Sequence, residues 1–425
     1  MELSARYIDS GTDDGPGSTN RVTQELSEVA DGIAVIESFS HVVVVRTDDG
    51  LVLFDTSAAP FGEAVRASLR RWSDEPVRTI VYTHGHVDHV GGARAFVDEA
   101  EAAGRPAPEV VAQAAVAARF DRYDLTNGYN AVVNGRQFGR TRLGMTGGSD
   151  PTWPRDWVRP TTTFEDSASL DVGGVEVTLQ HDKGETDDHL WARLRRWRAI
   201  CSGDFLTWVF PNAGNPQKVQ RFPLEWAAAL RAMVATGPEL LLPAHGLPVS
   251  GKERVARVLT EAAGALESLV EQTLALMNDG ARLDAIGSTV RVPDEVLGRP
   301  WLRPIYDEPE FVVRNIWRQY GGWYDGNPAN LKPAPDGELA TELAGLAGGA
   351  DRVAARGREL AEGGELRLAC HLVELAALAD PHDAEVHRAR AEVYRARRGS
   401  ELSLMAKGIY GSAAAESDER AGGAS

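Results

Sequence analysis

Short apolar runs of strand length, separated by turn residues, recur between residues 31 and 252. Such runs predict strands, at residues 33–36, 41–46, 51–54, 77–82, 163–180 and 190–202. Residues 61–72 and 108–125 carry apolar positions at helical spacing instead. Residues 125–163 show neither period, and a loop of that length in a compact domain predicts a lid or binding element.

The pattern changes after residue 252. Residues 253–277 have apolar positions at helical spacing, which predicts one long helix. Residues 337–407 are rich in Ala, Leu, Glu and Arg, with breaks at glycine pairs, and predict three or four amphipathic helices. Between these regions, residues 301–331 are rich in aromatic side chains. These rings either form a core between domains or, with residues 125–129, line an apolar substrate pocket.

Composition excludes several classes of protein. The net charge of −17 argues against nucleic-acid binding. The chain has no run of about 20 apolar residues, so no membrane insertion is expected. The first seven residues lack the basic and apolar segments of a signal peptide, and two distant cysteines imply no disulfide framework. We therefore expect a cytoplasmic protein.

Residues 83–92 read Thr-His-Gly-His-Val-Asp-His-Val-Gly-Gly and follow a predicted strand. Imidazole nitrogen and carboxylate oxygen are zinc ligands. His84 and His86 project to the same side of an extended segment and can bind one ion. Asp88 and His89 are displaced along the chain and can reach a second ion. The cluster therefore predicts a site for two metals, which catalytic centres hold about 3.5–4 Å apart.

Such a site needs further ligands, and polar residues after later apolar runs supply candidates. Glu185 lies in the loop of residues 183–189, and Asp204 and His245 each follow a short apolar run. Cys201 is also close to Asp204, but a buried strand cysteine is the favoured interpretation. Asp55, at the end of the strand 51–54, either orients a ligand histidine or caps a turn.

With these residues in place, the chain resembles the metallo-β-lactamase superfamily of dinuclear hydrolases. The resemblance rests on the His-x-His-x-Asp-His motif of residues 84–89 with the later Asp204 and His245. Most members have a histidine where this chain has Glu185, and a glutamate there is similar to the alkyl sulfatase branch. The stretch Tyr-Gly-Gly-Trp-Tyr-Asp-Gly-Asn-Pro-Ala-Asn-Leu at residues 320–331 points to the same branch.

The resemblance implies an α/β fold, an αββα sandwich with metals at the strand ends, followed by an all-α helical dimerisation domain. It implies a catalytic domain at 31–252 and a helical domain at 253–410. Composition predicts a partly mobile N-terminal extension at residues 1–30, mobile at residues 8–21, and a disordered tail at 411–425. The resemblance also implies a homodimer. Family members often continue into a sterol-carrier-like domain, which is not expected here.

The resemblance also implies a ligand set for two divalent ions, with zinc as the default. One ion would be bound by His84, His86 and Glu185, the other by Asp88, His89 and His245, with Asp204 bridging. A carboxylate at position 185 is a harder ligand than imidazole and widens the choice of metal, so manganese and iron stay open.

The segment after Asp204 carries amide and cationic donors without nearby acids. Arginine forms paired hydrogen bonds with oxyanions and lysine acts as a point charge. Lys218 and Arg221 are therefore candidate sulfate-binding residues, supported by Asn212 and Asn215. The alternative is a surface loop whose charges face water.

Together these features predict hydrolysis of a small anionic substrate, an alkyl sulfate ester, through a metal-bridging hydroxide. Asp88 belongs to the predicted catalytic set, and His189, Tyr129 or Tyr320 would be the general acid. For His189, four residues after Glu185 in the same loop, support of the metal ligands is the favoured interpretation. Attack at carbon or at sulfur stays open. Another hydrolase of the same superfamily, acting on a lactone, thioester or phosphodiester, is the main alternative. A relict scaffold and a redox di-iron protein are disfavoured by the intact ligand set and by the lack of a flavin- or rubredoxin-like sequence.

Overall fold

The computed structural model describes residues 1–15, 17–138 and 153–422. The chain divides into two compact units. The first comprises Met1–Asn130 and Gly144–Gly322, and the second Ala131–Leu143 and Trp323–Ser425.

Two sheets form the centre of the first unit. One contains β1 (Leu26–Ala30), β2 (Ile33–Ile36), β3 (Val42–Thr47), β4 (Gly50–Phe54), β5 (Val77–Val81), β6 (Glu109–Gln113) and β7 (Thr162–Phe164). The other contains β8 (Ser167–Val172), β9 (Val175–His181), β10 (Leu190–Leu194), β11 (Ala199–Gly203), β12 (Leu240–Pro243) and β13 (Val249–Ser250). Within the described ranges, the first sheet follows chain order and the second has the order β13-β12-β11-β10-β9-β8.

Pairing is mixed in both sheets. β4 through β7 are parallel to one another, as are β11 and β12, whereas the remaining neighbours are antiparallel.

The helices that belong to the first unit are α1 (Glu2–Ser10), α2 (Gly62–Trp72), α3 (Val87–Val90), α4 (Ala93–Ala102), α5 (Ala115–Leu125), α7 (Pro223–Ala235), α8 (Lys252–Asn278), α9 (Leu283–Thr289), α10 (Asp294–Leu297) and α11 (Pro309–Gly321). α6 (Asn127–Phe138) begins in this unit, and its residues from Ala131 onward are assigned to the second. Short 3₁₀ turns occur at Ala59–Phe61, Arg195–Trp197 and Pro328–Asn330.

Both faces of the first sheet are buried at its central strands β2 to β6, which explains the nearly continuous apolar runs of these strands. In β2, Ile33 and Val35 pack between the two sheets, whereas Ala34 and Ile36 pack under α2 and α4. The outer face of the second sheet packs against α1, α7 and α8. The layers are therefore helix, sheet, sheet and helix, and the predicted αββα sandwich is confirmed.

The second unit is helical over its described residues. After Trp323 it contains α12 (Asp336–Ala347), α13 (Ala350–Glu362), α14 (Leu366–Ala379), α15 (Ala384–Ser400) and α16 (Leu404–Gly422). Small side chains such as Ala344, Ala354 and Ala376 form its core, so these helices approach one another closely. The predicted helical region is confirmed.

Several predicted boundaries differ from the structure. The predicted boundary lies after residue 252, whereas the two units divide after Gly322. The reason is that α8 and α11 pack into the core of the first unit and do not form part of a separate domain. The predicted mobile stretch 8–21 differs from the structure at its start, since residues 8–10 belong to α1 and Ile8 is fully buried. Part of the predicted loop 125–163 is α6, while residues 139–152 lie outside the described residues.

The predicted disordered tail was wrong for residues 411–422, which belong to α16. Alanine-rich sequence has high helix propensity, and the neighbouring helix supplies specific contacts. Arg390 of α15 donates hydrogen bonds to the Ala413 carbonyl and to Ser417 Oγ, each at 2.8 Å. Residues 423–425 lie outside the described residues.

Candidate metal centre

Loops at one edge of the sandwich bring the candidate ligands together. Asp55 follows β4, His84 lies shortly after β5, Asp204 follows β11 and His245 lies shortly after β12. The carboxyl ends of neighbouring parallel strands open at the same edge of a sheet, where ligand sites commonly form. This topology explains why residues far apart in sequence converge.

The seven predicted ligands all lie in this cluster. Within the described ranges they form groups whose ligand atoms lie within 4.8 Å of one another, namely His84, His89 and Asp204; Asp88, His89 and His245; and His86, Glu185 and Asp204. Asp88 Oδ2 is 3.3 Å from His245 Nε2, and Asp204 Oδ2 is 3.4 Å from His89 Nε2. In the third group, His86 Nδ1 is 3.6 Å from Glu185 Oε1.

The donor set fits divalent metal ions. His89 Nε2 and Asp204 Oδ1 are buried, and neither has a hydrogen-bond partner among the described residues. Buried polar atoms are normally paired, so atoms of this kind point to a missing partner such as an ion. Imidazole nitrogens mixed with carboxylate oxygens suit zinc and other first-row metals.

The ionisation of the cluster supports the same conclusion. Burial lowers the pKa of His84 well below its usual value, which keeps the ring neutral. Burial also lowers the pKa of His89, but the carboxylates of Asp204, Asp55 and Asp88 outweigh burial and raise it well above the usual range. The field at His89 therefore favours positive charge, and a metal cation would be stabilised by the same carboxylates.

Asp55 orients His89. Its carboxylate lies 2.8 Å from His89 Nδ1 and accepts hydrogen bonds from the Thr83 backbone N–H and hydroxyl, each at 2.7 Å. A hydrogen bond from Nδ1–H to a carboxylate leaves Nε2 available as a ligand atom. Asp55 has a positive φ of 61°, a conformation that surrounding contacts must maintain. Of the two interpretations of Asp55, the structure favours contact with a candidate ligand histidine, and the role of His89 as a ligand stays a prediction.

Two of the predicted substrate-binding residues contact Glu185 instead. Arg221 Nη1 lies 2.6 Å from Glu185 Oε1 and donates to the Glu185 carbonyl at 2.8 Å. Asn212 Nδ2 donates to the same carboxylate oxygen. Burial raises the pKa of Glu185 to about 7, although Arg221 acts in the opposite direction. Because Arg221 and Asn212 are buried against a candidate ligand, they are placed to orient that ligand rather than to bind sulfate.

Lys218 and Asn215 occupy the same segment. Asn215 is buried, and its Oδ1 accepts a hydrogen bond from the Gln217 backbone at 3.1 Å, so it stabilises the turn. Lys218 is half-buried, with its ammonium 5.6 Å from the Trp153 ring centroid. Burial and the positive charge of Arg221 lower the pKa of Lys218 to about 8. Of the four predicted substrate contacts, Lys218 keeps the character of an anion-binding group.

The structure argues against His189 as general acid. His189 is fully buried, and its Nε2 accepts a hydrogen bond from the Asp204 backbone N–H at 3.2 Å. Burial lowers the pKa of His189 to about 3, so the ring is neutral near pH 7. Its side chain also stacks on Phe205 with ring centroids 4.1 Å apart. His189 therefore holds the Asp204 loop in place and has no proton to give to a leaving group through Nε2.

The tyrosines differ in their surroundings. Tyr320 is 45% exposed and Tyr129 is 61% exposed. Burial and the nearby Glu225 carboxylate, rather than a ligand residue, raise the pKa of Tyr320. Burial also raises the pKa of Tyr306, and there the Glu185 and Asp88 carboxylates add to the effect. Tyr306 is thus the tyrosine closer to the centre, and its only signal in the sequence was membership of the aromatic stretch 301–331.

The buried ion pair between Arg119 and Asp188 was not predicted from the sequence. Asp188 Oδ2 accepts hydrogen bonds from Arg119 Nε at 2.5 Å and from the Gly85 backbone N–H at 3.2 Å. The added Cβ of any residue larger than glycine at position 85 would lie 2.7 Å from Arg119 Cδ. The pair therefore supports the peptide between His84 and His86.

Comparison with known protein families agrees with this architecture. Residues 35–245 match the metallo-beta-lactamase superfamily, and residues 282–420 match the alkyl sulfatase dimerisation family. The chain combines a metallo-β-lactamase domain with an alkyl sulfatase dimerisation domain. Among the described residues, none of the helices has both the length and the apolar character needed to span a membrane.

The relatives are named alkylsulfatases. The chain is 29% identical over 364 residues to a linear primary-alkylsulfatase of Pseudomonas sp., covering 83% of this chain and 69% of that protein. It is 28% identical to an (R)-specific secondary-alkylsulfatase of Pseudomonas sp., covering 83% and 56% of the two chains. It is 27% identical to an alkyl/aryl-sulfatase of Saccharomyces cerevisiae, covering 88% and 58%. The chain thus spans a little over half the length of the last two.

A solved structure shares the fold over nearly the whole chain. It is a stereoselective inverting sec-alkylsulfatase from Pseudomonas sp., with a TM-score of 0.81 and 25% identity. The similarity covers 94% of this chain and 66% of that one. The architecture of both matched regions is therefore found together in a known alkylsulfatase.

Proposed function

We propose that this protein hydrolyses alkyl sulfate esters to alcohol and sulfate, using two divalent metal ions with zinc as the default. The observation that carries the proposal is the convergence of seven ligand residues, including Glu185 in place of the usual histidine, in a chain whose relatives are named alkylsulfatases. The proposal extends to this chain the activity for which these relatives are named.

Under this proposal His84, His86 and Glu185 would hold one ion, Asp88, His89 and His245 would hold the other, and Asp204 would be shared between them. When bound, two such ions supply hydroxide near neutral pH by lowering the pKa of water. Asp55 and His189 set the positions of His89 and Asp204. These contacts keep the ligand atoms in place before substrate arrives, which is the condition for effective electrostatic catalysis.

Lys218 is the proposed contact for the sulfate group. Its ammonium is a compact positive charge. The carboxylates of Asp88 and Glu185 raise its pKa, and the guanidinium of Arg221 lowers it. An anionic ester with its sulfate beside Lys218 would therefore lie at the candidate metal centre. Tyr306 is the proposed proton donor, since burial and the Glu185 carboxylate keep its hydroxyl protonated.

We further propose a homodimer formed through the second unit. Leu339, Leu343 and Leu346 of α12 recur at helical spacing and are exposed, with Leu346 80% exposed. An uncovered apolar stripe of this kind is typical of an interaction surface. The family match over residues 282–420 favours a second copy of this chain as the partner.

The test of the proposed activity is sulfate release from a panel of primary and secondary alkyl sulfates, with zinc-loaded protein. His86→Ala is the matched control, and metal content is measured on both proteins. Sulfate release that disappears in His86→Ala would support the proposal, and ¹⁸O-labelled water would show whether oxygen enters the alcohol or the sulfate. Two bound ions without sulfate release would reject the substrate class, and lactones, thioesters and phosphodiesters would then be assayed.

A further inference from the structure

The segment that precedes α7 holds the loop of residues 183–189, which contains Glu185. Arg221 Nη1 contacts both the Glu185 carboxylate, at 2.6 Å, and the Glu185 carbonyl, at 2.8 Å. The next residue, Phe222, donates its backbone N–H to the Gly184 carbonyl at 3.0 Å. The side chain of Arg221 and the backbone of Phe222 therefore fix the same short stretch of the loop, so the position of Glu185 depends on the position of Arg221.

Asn315 of α11 in turn fixes Arg221. Its Oδ1 lies 3.3 Å from the Arg221 backbone N–H, and its Nδ2 donates to the Arg221 carbonyl at 2.9 Å. Both residues are buried. One amide side chain thus satisfies both backbone groups of one residue, as a neighbouring strand would. Aspartate lacks the donor and alanine lacks both groups, so asparagine is specifically suited to this contact.

A second contact anchors the other end of the same segment. Asp307, just before α11, accepts hydrogen bonds from the backbone N–H of Gly214 at 2.6 Å and of Glu308 at 2.7 Å. Gly214 packs so closely on α11 that an added Cβ would collide with the backbone of Val312. Residues 214–221 are therefore clamped at both ends by residues 307–315, which leaves Arg221 little freedom to move relative to α11.

We propose that Asn315 is a positioning residue of the metal centre, which acts through Arg221 to hold the Glu185 carboxylate where it binds a cation. The inference rests on the proposed function in one respect, because it takes Glu185 as a metal ligand. Groups that orient metal ligands typically contribute about 10- to 100-fold to metal affinity. Asn315 acts through one further residue, so we expect an effect near the lower end, about tenfold.

The experiment is a zinc titration of metal-free protein against a competing chromogenic chelator, for wild type, Asn315→Ala, Glu185→Ala and Gln319→Ala. Gln319 is the matched control, since its amide also lies on α11 but donates to Glu225. We expect two zinc ions in wild type and in the control. Asn315→Ala should lose about tenfold in affinity at one site, the site that Glu185→Ala abolishes. The double variant Asn315→Ala/Glu185→Ala, titrated in the same way, should bind zinc no more weakly than Glu185→Ala alone.

The inference is overturned if Asn315→Ala binds both ions as wild type does, or if its loss simply adds to that of Glu185→Ala. It is also overturned if both sites weaken equally, because general destabilisation would act on the whole centre. If Asn315→Ala does not fold, Asn315→Asp is measured in its place, since it keeps the acceptor and removes the donor. Fewer than two zinc ions in wild type would reject the dinuclear centre itself, and the inference with it. Absence of sulfate release leaves the titration unaffected, so failure of the substrate proposal is distinguishable.

Discussion

Removal of the Arg119 guanidinium should destabilise the first unit far more than removal of an exposed arginine that pairs with the same helix. Arg119 and Asp188 have side-chain exposures of 3% and 0%, and Nε and Oδ2 are 2.5 Å apart. In Arg119→Met, the buried Asp188 carboxylate loses its cationic partner and keeps the hydrogen bond from the Gly85 N–H. Breaking a buried pair from one side typically costs about 3–5 kcal/mol.

Arg159→Met supplies the matched control. Arg159 pairs with Asp121, which lies on α5 like Arg119, but the two side chains are 47% and 67% exposed. Exposed pairs contribute less than about 1 kcal/mol. Neutralising the carboxylate as well, in Arg119→Met/Asp188→Asn, should recover part of the loss, because an amide is buried at lower cost than an unpaired charge.

Urea unfolding of the metal-free proteins, followed by tryptophan fluorescence and circular dichroism, measures these free energies of unfolding. The expected order of stability is wild type, then Arg159→Met close below it, then the double variant, then Arg119→Met. If Arg119→Met lowered the free energy of unfolding no more than Arg159→Met does, the Arg119–Asp188 pair would not be a buried support of the peptide between His84 and His86. A double variant less stable than Arg119→Met would contradict the assignment of the cost to an unpaired Asp188.

Three further predictions concern other parts of the molecule. Burial raises the pKa of Asp307 to about 7, so between pH 4 and 7 the folded protein keeps a proton that the unfolded chain, with a pKa near 3.9, has lost. The stability of wild type relative to Asp307→Asn should therefore fall as pH rises, by up to about 1.4 kcal/mol per unit in urea titrations; a flat difference would refute this. Gly92→Ala should lower the melting temperature, because its Cβ would collide with a backbone carbonyl, whereas Gly128→Ala, with open space around it, should not; equal melting temperatures would contradict the packing described. Leu346→Glu should give monomers in sedimentation at micromolar concentration while Leu125→Glu, at an exposed leucine outside the stripe, stays dimeric; dimers in both would place the interface elsewhere.

The convergence of the candidate ligands was predictable because their signals in the sequence are local. His84, His86, Asp88 and His89 fall within six positions, and Asp204 and His245 each follow an apolar run. The hydrophobic period locates the strand ends, and parallel neighbours open at one edge, so the pattern and the family resemblance together bring these residues to one place.

The supporting contacts were not predictable in the same way. Arg119 and Asp188 are 69 positions apart, and Asn315 and Arg221 are 94 apart. No local period marks such pairs, since each depends on how a helix packs against a distant loop. The sequence indicated correctly that Arg221 and Asn212 lie near the centre, but not that they face Glu185 rather than the substrate. Likewise a tail rich in small residues was predicted as disordered because its partner helix, α15, is visible only in the fold.

The charges at the centre explain why these distant contacts matter. Asp55, Glu185 and Asp204, all buried, and the half-buried Asp88 bring carboxylates into one cluster, in which His84 is held neutral. Buried carboxylates repel one another unless cations or hydrogen bonds compensate them. Part of that compensation comes from the protein, through Thr83 to Asp55 and through Arg221 to Glu185. Under the proposed function the remainder comes from two divalent ions, so contacts that fix Glu185 before metal arrives reduce the reorganisation that metal binding requires.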